Sequence, residues 1–140
     1  MLDCATIAKG HCMLSRSARP AGARTVIVVD NDPAVLGSLE FALETDGFDV
    51  LVFRSGEDLL ADDGLPKSAC LVVDYHLSAM NGLELVDALR ERGVTFPAVL
   101  ITFHPSPDVR QAAARRGLAL VEKPLLDNAL TSAILHIYRD

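Results

Sequence analysis

Short apolar runs alternate along the chain with longer stretches in which apolar residues recur every three or four positions. Short runs rich in valine and isoleucine predict buried strands, whereas the wider spacing predicts amphipathic helices. Strands that alternate with helices in this way indicate an α/β fold built as a doubly wound sandwich. The predicted strands are 25–30, 48–53, 69–74, 97–102 and 118–122, and the predicted helices lie near 33–46, 56–62, 82–92, 107–116 and 125–138.

The three central runs, VIVV, CLVV and AVLI, are continuously apolar and do not alternate with polar residues. A strand is apolar at every position when helices cover both of its faces, which is the rule in parallel sheets. We therefore predict one five-stranded parallel sheet with helices on both sides.

Capping residues support the predicted helix boundaries. Asp32-Pro33 and Ser106-Pro107 each place an N-cap side chain before a proline at the first helical position, and we assign Asp32 no other role. Three glycines follow predicted helices, where a left-handed C′ residue is favoured: Gly47, Gly93 and Gly117. The first helix presents one apolar face, formed by Val35, Leu36, Leu39, Ala42 and Leu43.

Charge is distributed unevenly along the chain. Residues 1–24 hold four basic residues and one acidic residue, a net charge of +3, whereas residues 25–140 hold nine basic and eighteen acidic residues, a net charge of −9. An acidic body argues against direct binding to DNA, whose backbone attracts clustered lysine and arginine.

Residues 1–23 lack periodicity and predict a flexible N-terminal extension, with Met13 a possible alternative start.

The remaining residues, 24–140, predict one domain, and because the last helix reaches the end of the sequence we expect it to stand alone. Three cysteines, without the spacing of a disulfide framework or a metal site, predict a reducing, cytoplasmic environment. No apolar run reaches the roughly 18 residues that a membrane-spanning helix needs.

Four of the predicted strands end in polar residues of reactive types. TVIVVD ends at Asp30 and is followed by Asn31, ACLVVD ends at Asp74, AVLIT ends at Thr102, and LALVEK ends at Lys123. Ligands of open parallel sheets bind at the carboxyl ends of the strands, so these side chains are expected to share one pocket. Carboxylates, a hydroxyl and an ammonium group together suit a cation and a phosphoryl group.

The segments VVDN-D-P, LVVDYHLSAMNG, VLIT and VEKP, in this order, resemble the receiver domain of two-component response regulators over about residues 25–140. The resemblance implies a flavodoxin-like (βα)5 sandwich. It also implies that Asp74 accepts a phosphoryl group from a histidine kinase or a histidine phosphotransfer protein of a phosphorelay. Thr102 would then bind a phosphoryl oxygen and relay the switch, Lys123 would pair with the acyl phosphate, and the Lys123–Pro124 peptide would be cis.

The same resemblance implies a site for Mg²⁺. Asp30 and Asn31 occupy the positions of the family's acidic pair, Asp74 is a further ligand, and His76 would contribute its backbone carbonyl while its ring faces solvent. Asn31 departs from the family pattern because it replaces a carboxylate by an amide. We therefore predict weakened Mg²⁺ affinity and slower phosphorylation.

Three further departures follow from the comparison of motifs. Phe103 stands where the family usually has a small residue, so its ring either shields Asp74 or fills a neighbouring pocket. Leu120 replaces an aromatic residue whose rotation usually accompanies switching, which puts that signal in doubt. Ser78 replaces a common proline and loosens the loop after Asp74 only slightly.

Three functional readings stay open at this point. The first is a phosphorylatable receiver, not an enzyme beyond its own phosphorylation and dephosphorylation. It would signal to a downstream protein, or form a homodimer, through the face of the fourth helix, fifth strand and fifth helix. Three arginines lie near that face: Arg110, Arg115 and Arg116.

The second reading is a pseudo-receiver, a binding module that works without phosphate, which Asn31, Phe103 and Leu120 favour. The third is a phosphatase resembling the haloacid dehalogenases, because Asp30-Asn31-Asp32 spells their DxD motif. That family needs a later acidic pair, and only Asp127 and Asp140 follow Lys123.

Overall fold

The computed structural model describes residues 24–123 and 129–139. The strands are β1 (Thr25–Val29), β2 (Asp49–Phe53), β3 (Cys70–Asp74), β4 (Ala98–Thr102) and β5 (Ala119–Glu122). The helices are α1 (Pro33–Thr45), α2 (Gly56–Leu60), α3 (Gly82–Glu91), α4 (Pro107–Arg115) and α5 (Ala129–Arg139). All ten predicted elements are present, and their ends differ by a few residues at most, except that the predicted start of the last helix at 125 lies outside the described residues. The N-terminal extension, the Lys123–Pro124 peptide, Asp127 and Asp140 lie outside the described residues.

One parallel sheet joins the five strands in the order β2-β1-β3-β4-β5. The predicted doubly wound α/β fold is therefore confirmed. Of the three strands that contain the apolar runs, β3 and β4 are buried at every position, and β1 is buried at all but its first residue. This burial on both faces is the reason that the apolar runs do not alternate.

Successive strand residues face opposite sides of the sheet and build two core layers. Ile27, Leu71 and Leu100 pack on the side covered by α2, α3 and α4. Val28, Val72 and Val99 pack on the side covered by α1 and α5. Crossovers thus run on both faces, and the order in which strands are added to the sheet reverses between β1 and β3. The carboxyl ends of these two strands form part of the edge that carries the polar residues.

Helix ends follow the predicted capping chemistry. The Asp32 carboxylate accepts a hydrogen bond from the Ala34 N–H at 2.9 Å, and the Ser106 hydroxyl accepts one from the Val109 N–H at 3.2 Å. The three predicted C′ glycines have positive φ angles: 96° at Gly47, 84° at Gly93 and 72° at Gly117. The caps therefore fix where the loops at the two ends of the sheet begin.

The apolar face of α1 is narrower than predicted. Leu36, Leu39 and Leu43 are buried against the sheet and Val35 is half-buried, but Ala42 is exposed. Ala42 stays exposed at the margin of this face because three leucines one turn apart already cover the strands beneath. Among the described residues, no helix is both long and apolar enough to span a bilayer.

Candidate functional site

Three polar side chains are buried within the described part of the chain, and all three lie at one edge of the sheet. Asp30 is 1% exposed, Asp74 4% and Thr102 1%. They stand at or just after the ends of β1, β3 and β4, which are neighbours in the sheet. Burying carboxylates without a compensating function is costly. Their convergence therefore marks this edge as the candidate site, as the sequence predicts.

Lys123 joins the two buried carboxylates. Its backbone N–H donates to the Thr102 carbonyl at 2.8 Å, which continues the pairing of β5 with β4 beyond the strand end. From there its Nζ lies 3.2 Å from Asp74 Oδ2 and 3.4 Å from Asp30 Oδ2. One ammonium between two carboxylates leaves a net charge of −1 at the centre of the site, which favours a further cation.

Asp30 carries the clearest electrostatic signature in the site. Burial raises the pKa of its carboxyl, and the nearby Asp74 carboxylate raises it further, while the Asp32 N–H and the Lys123 ammonium oppose the shift. Asp30 Oδ1 accepts the hydrogen bond from the Asp32 N–H at 2.9 Å. The carboxyl is thus held in place by the backbone, and burial disfavours its charged form.

Asn31 and Ser78, two of the departures from the family pattern, contact each other. The exposed Asn31 amide donates from Nδ2 to the Ser78 hydroxyl at 3.3 Å, linking the loop after β1 to the loop after β3. No local pattern predicts this contact, since the two residues are far apart in the chain. Asn31 therefore supplies a donor to the loop where a carboxylate could supply only an acceptor.

His76 contributes to the site through its backbone. Its N–H donates to Asp74 Oδ1 at 3.2 Å, while its exposed ring packs edge-on against Tyr75, with centroids 4.9 Å apart. The solvent-facing ring agrees with the expectation for this residue. Within the described ranges, no three His, Cys, Asp or Glu side chains converge on one point. A metal ion here would thus need amide, carbonyl or water oxygens besides carboxylates.

Phe103 follows the buried Thr102, whose hydroxyl donates to the Phe103 carbonyl at 3.3 Å. The Phe103 ring is 51% exposed, and its centroid lies 5.5 Å from Lys123 Nζ. The ring also lines a groove of about 550 Å³ along α1. The ring therefore borders a neighbouring groove without filling it, and it lies beside the lysine.

Gly82 is a site-supporting residue that sequence reasoning missed. A Cβ at this position would lie 2.7 Å from the Asp74 carbonyl oxygen and 2.8 Å from Val73 Cγ1. Only glycine lets α3 begin so close to the end of β3, where the acceptor candidate stands. The Asn-x-x-Glu spacing of Asn81 and Glu84 predicts the capping box that starts this helix. No sequence pattern predicts the contact of Gly82 with β3.

The family profile of the response regulator receiver domain matches residues 26–135. The chain belongs to this family. It is a receiver domain of two-component systems, as the resemblance implied. The transcriptional regulatory protein FixJ of Azorhizobium caulinodans is 35% identical over 111 residues, which are 78% of this chain and 52% of that protein.

Solved structures agree with this assignment. The structure of FixJ-N has a TM-score of 0.74 and 29% identity, and the match covers 83% of this chain and 94% of that one. The response regulator TrrA of Thermotoga maritima, solved with Mg²⁺ and BeF, has a TM-score of 0.69 and 19% identity over 81% of this chain and 98% of that one. The TrrA match supports the fold alone. The chain spans about half the length of the curated relatives it matches.

Proposed function

We propose that this receiver accepts a phosphoryl group on Asp74 from a histidine kinase or a histidine phosphotransfer protein. The observation that carries the proposal is the convergence of two buried carboxylates, a buried hydroxyl and Lys123 at the carboxyl edge of the sheet. No structural need explains so many buried polar groups at one place. A site that gathers negative charge on a transferred phosphoryl group does need them.

The proposed chemistry assigns a distinct role to each side chain. An Asp74 oxygen attacks phosphorus, and the His76 N–H already holds Asp74 Oδ1 by a hydrogen bond of 3.2 Å. Lys123, 3.2 Å from Asp74 Oδ2, balances the charge that develops on the transferring oxygens. The Thr102 hydroxyl can turn from the Phe103 carbonyl to donate to a phosphoryl oxygen.

The residues at this edge fit Mg²⁺, which prefers oxygen ligands and keeps several waters. Asp30, Asp74, the side-chain oxygen of Asn31 and the His76 carbonyl are the proposed ligands. Burial, together with the nearby Asp74 carboxylate, raises the pKa of the Asp30 carboxyl, and a bound cation would favour its ionised form. When bound, the ion would neutralise phosphoryl oxygens. TrrA, which shares the fold, was solved with this ion and a beryllium fluoride.

Asn31 reduces the negative charge at the site by one. We propose that this costs on the order of 1–3 kcal/mol of Mg²⁺ binding, using the effective dielectric of a protein surface. Asn31→Asp should therefore bind Mg²⁺ more tightly in a calorimetric titration and become phosphorylated faster. The variant also replaces the donor that contacts Ser78. An unchanged Mg²⁺ affinity in Asn31→Asp would contradict the assignment of this residue.

Phosphorylation itself is tested by acetyl phosphate and Mg²⁺ followed by intact-mass measurement. The wild type should gain the mass of one phosphoryl group, Asp74→Asn should not, and Asn31→Asp should gain it faster. The Asn31 amide is the observation that keeps the pseudo-receiver as a second candidate. A wild type and an Asn31→Asp variant that both stay unmodified would favour that binding module.

We further propose that the domain signals to a downstream protein, or pairs with a second copy, through the face of α4, β5 and α5. Arg110 lies on this face and pairs with Glu122 at 3.5 Å. Arg116 instead turns to α3, where its guanidinium binds Asp87 through two hydrogen bonds of 2.8 Å. Light scattering of the phosphorylated and unphosphorylated protein would detect the homodimer, and Arg110→Glu should weaken it.

A further inference from the structure

Phe103 and Phe41 are the two large apolar side chains exposed within the described ranges. Phe41 is 73% exposed on the outer side of α1. Phe103 differs because it stands at the carboxyl edge of the sheet, directly after Thr102. Its ring lies 5.5 Å from the Nζ of Lys123, which in turn lies 3.2 Å from Asp74 Oδ2. The ring therefore lies beside the lysine that contacts the Asp74 carboxylate.

The surface beside the ring is largely uncharged. Phe103 forms one wall of the groove of about 550 Å³, and Ala34, Val35 and Ala42 of α1 contribute to the other. The two charged side chains that border the groove already have partners: Asp32 caps α1, and Lys123 contacts both buried carboxylates. The groove thus offers a largely apolar surface that is bordered by Lys123, the residue that contacts the Asp74 carboxylate.

We propose that Phe103 is a specificity-determining residue that packs against the leaving group of the phosphoryl donor. It favours a neutral aromatic leaving group, such as the imidazole of phosphoimidazole, over the acetate of acetyl phosphate. This inference rests on the proposed phosphorylation of Asp74 and adds which donor chemistry the site selects.

The two donors differ in the charge of what they leave behind. With phosphoimidazole protonated on its second nitrogen, an Asp74 oxygen forms the new P–O bond while the N–P bond breaks. The electron pair stays on nitrogen, and neutral imidazole departs. With acetyl phosphate a P–O bond breaks instead, and acetate departs as an anion. An anion is repelled by the acidic edge around Asp30 and gains little from an apolar ring, whereas imidazole can stack on it.

The test compares second-order rate constants for the two donors in saturating Mg²⁺, measured by intact mass. We expect the ratio of phosphoimidazole to acetyl phosphate rate constants to fall about twofold to twelvefold in Phe103→Ala, the effect of losing one aromatic contact. Phe103→Tyr keeps the ring and should preserve the ratio. Phe41→Ala is the matched control, because it removes an exposed phenyl ring away from the groove and should leave the ratio unchanged.

The ratio separates specificity from a general effect on the site. If Phe103→Ala changes both rate constants by the same factor, the ring acts as an unselective cover and the inference is wrong, while phosphorylation of Asp74 stands. If Phe103→Tyr loses the ratio as Phe103→Ala does, stacking is also excluded. If neither donor modifies the wild type or Asn31→Asp, the proposed function is wrong, and the inference about Phe103 is wrong as well.

Discussion

Substituting alanine for Gly82 sets two physical effects against each other. Gly82 is the first residue of α3, and alanine is favoured over glycine in helices by about 0.5–1 kcal/mol. Its Cβ, however, would lie 2.7 Å from the Asp74 carbonyl oxygen, 2.8 Å from Val73 Cγ1 and 2.9 Å from Leu100 Cδ1. All three distances are well inside the 3.4–4 Å of an ordinary van der Waals contact.

The clash should outweigh the gain in helix propensity. Overpacking a close-packed core costs about 1–3 kcal/mol, and here the nearest atom belongs to the backbone, which cannot rotate away as a side chain can. We expect Gly82→Ala to lower the free energy of unfolding by about 1–2 kcal/mol in urea titrations followed by circular dichroism. Relief of the clash must move α3 away from β3, so phosphorylation of the adjacent Asp74 should also slow.

Gly37→Ala is the matched control for this substitution. Gly37 lies in the middle of α1, and nothing would stand within 4 Å of its Cβ. Propensity acts there without a clash, so the variant should be more stable than the wild type by about 0.5–1 kcal/mol. A Gly82→Ala variant as stable as the wild type, or stabilised to the same degree as Gly37→Ala, would refute the close packing of α3 on β3.

Three other experiments, each based on substitutions, test separate features of the structure. Asp30→Asn removes a carboxyl whose folded-state pKa is raised above 3.8 by burial, so the variant should have a higher Tm than the wild type at pH 7. This gain in Tm should shrink as the pH falls toward 3.8, because the wild-type carboxyl then takes up a proton. An equal gain at both pH values would exclude this cause. His104 has φ 38°, so His104→Gly should be more stable than His104→Ala by about 1 kcal/mol in urea, and the reverse order would argue against the left-handed conformation. The hydrogen bonds from Arg116 lower the pKa of Asp87. The ionised Asp87 therefore stabilises the fold above pH 3.8, and this stabilisation is lost as the pH falls further. Because both side chains are partly solvated, a double-mutant cycle of Asp87→Ala and Arg116→Ala should give a coupling of only about 0.2–1 kcal/mol, and zero coupling would show the pair to be dispensable.

The fold was predictable because its signals are local. Each strand is a separate apolar run, each crossover helix has its own caps, and parallel strands put their polar ends at one edge without further information. The placement of Asp30, Asp74, Thr102 and Lys123 together follows from that geometry alone. The contacts that connect one loop or helix to another do not follow, since they depend on distances that no local pattern encodes.

Arg116 and Ala42 illustrate this limit. Both lie at positions where helix periodicity leaves two directions open, and the choice depends on a neighbour distant in sequence. Arg116 turns to α3 because Asp87 presents a carboxylate there, and Ala42 is left exposed because three leucines of α1 already cover the sheet. The contact of Asn31 with Ser78 is of the same kind, because it forms only after β1 and β3 have paired.

The Asn31 amide affects the site in two opposing ways. A third carboxylate beside Asp30 and Asp74 would attract Mg²⁺ more strongly, but without the ion it would add repulsion to a carboxyl whose pKa burial already raises. With asparagine, one lysine offsets one of the two buried carboxylates, and the amide ties the two loops together through Ser78. We therefore expect Asn31→Asp to lose stability in the absence of Mg²⁺ and to regain it as the ion is added. The wild type should show a smaller dependence of Tm on Mg²⁺, which thermal melts of both proteins across a Mg²⁺ series would measure. Equal Mg²⁺ dependence in the two proteins would mean that position 31 does not face the ion.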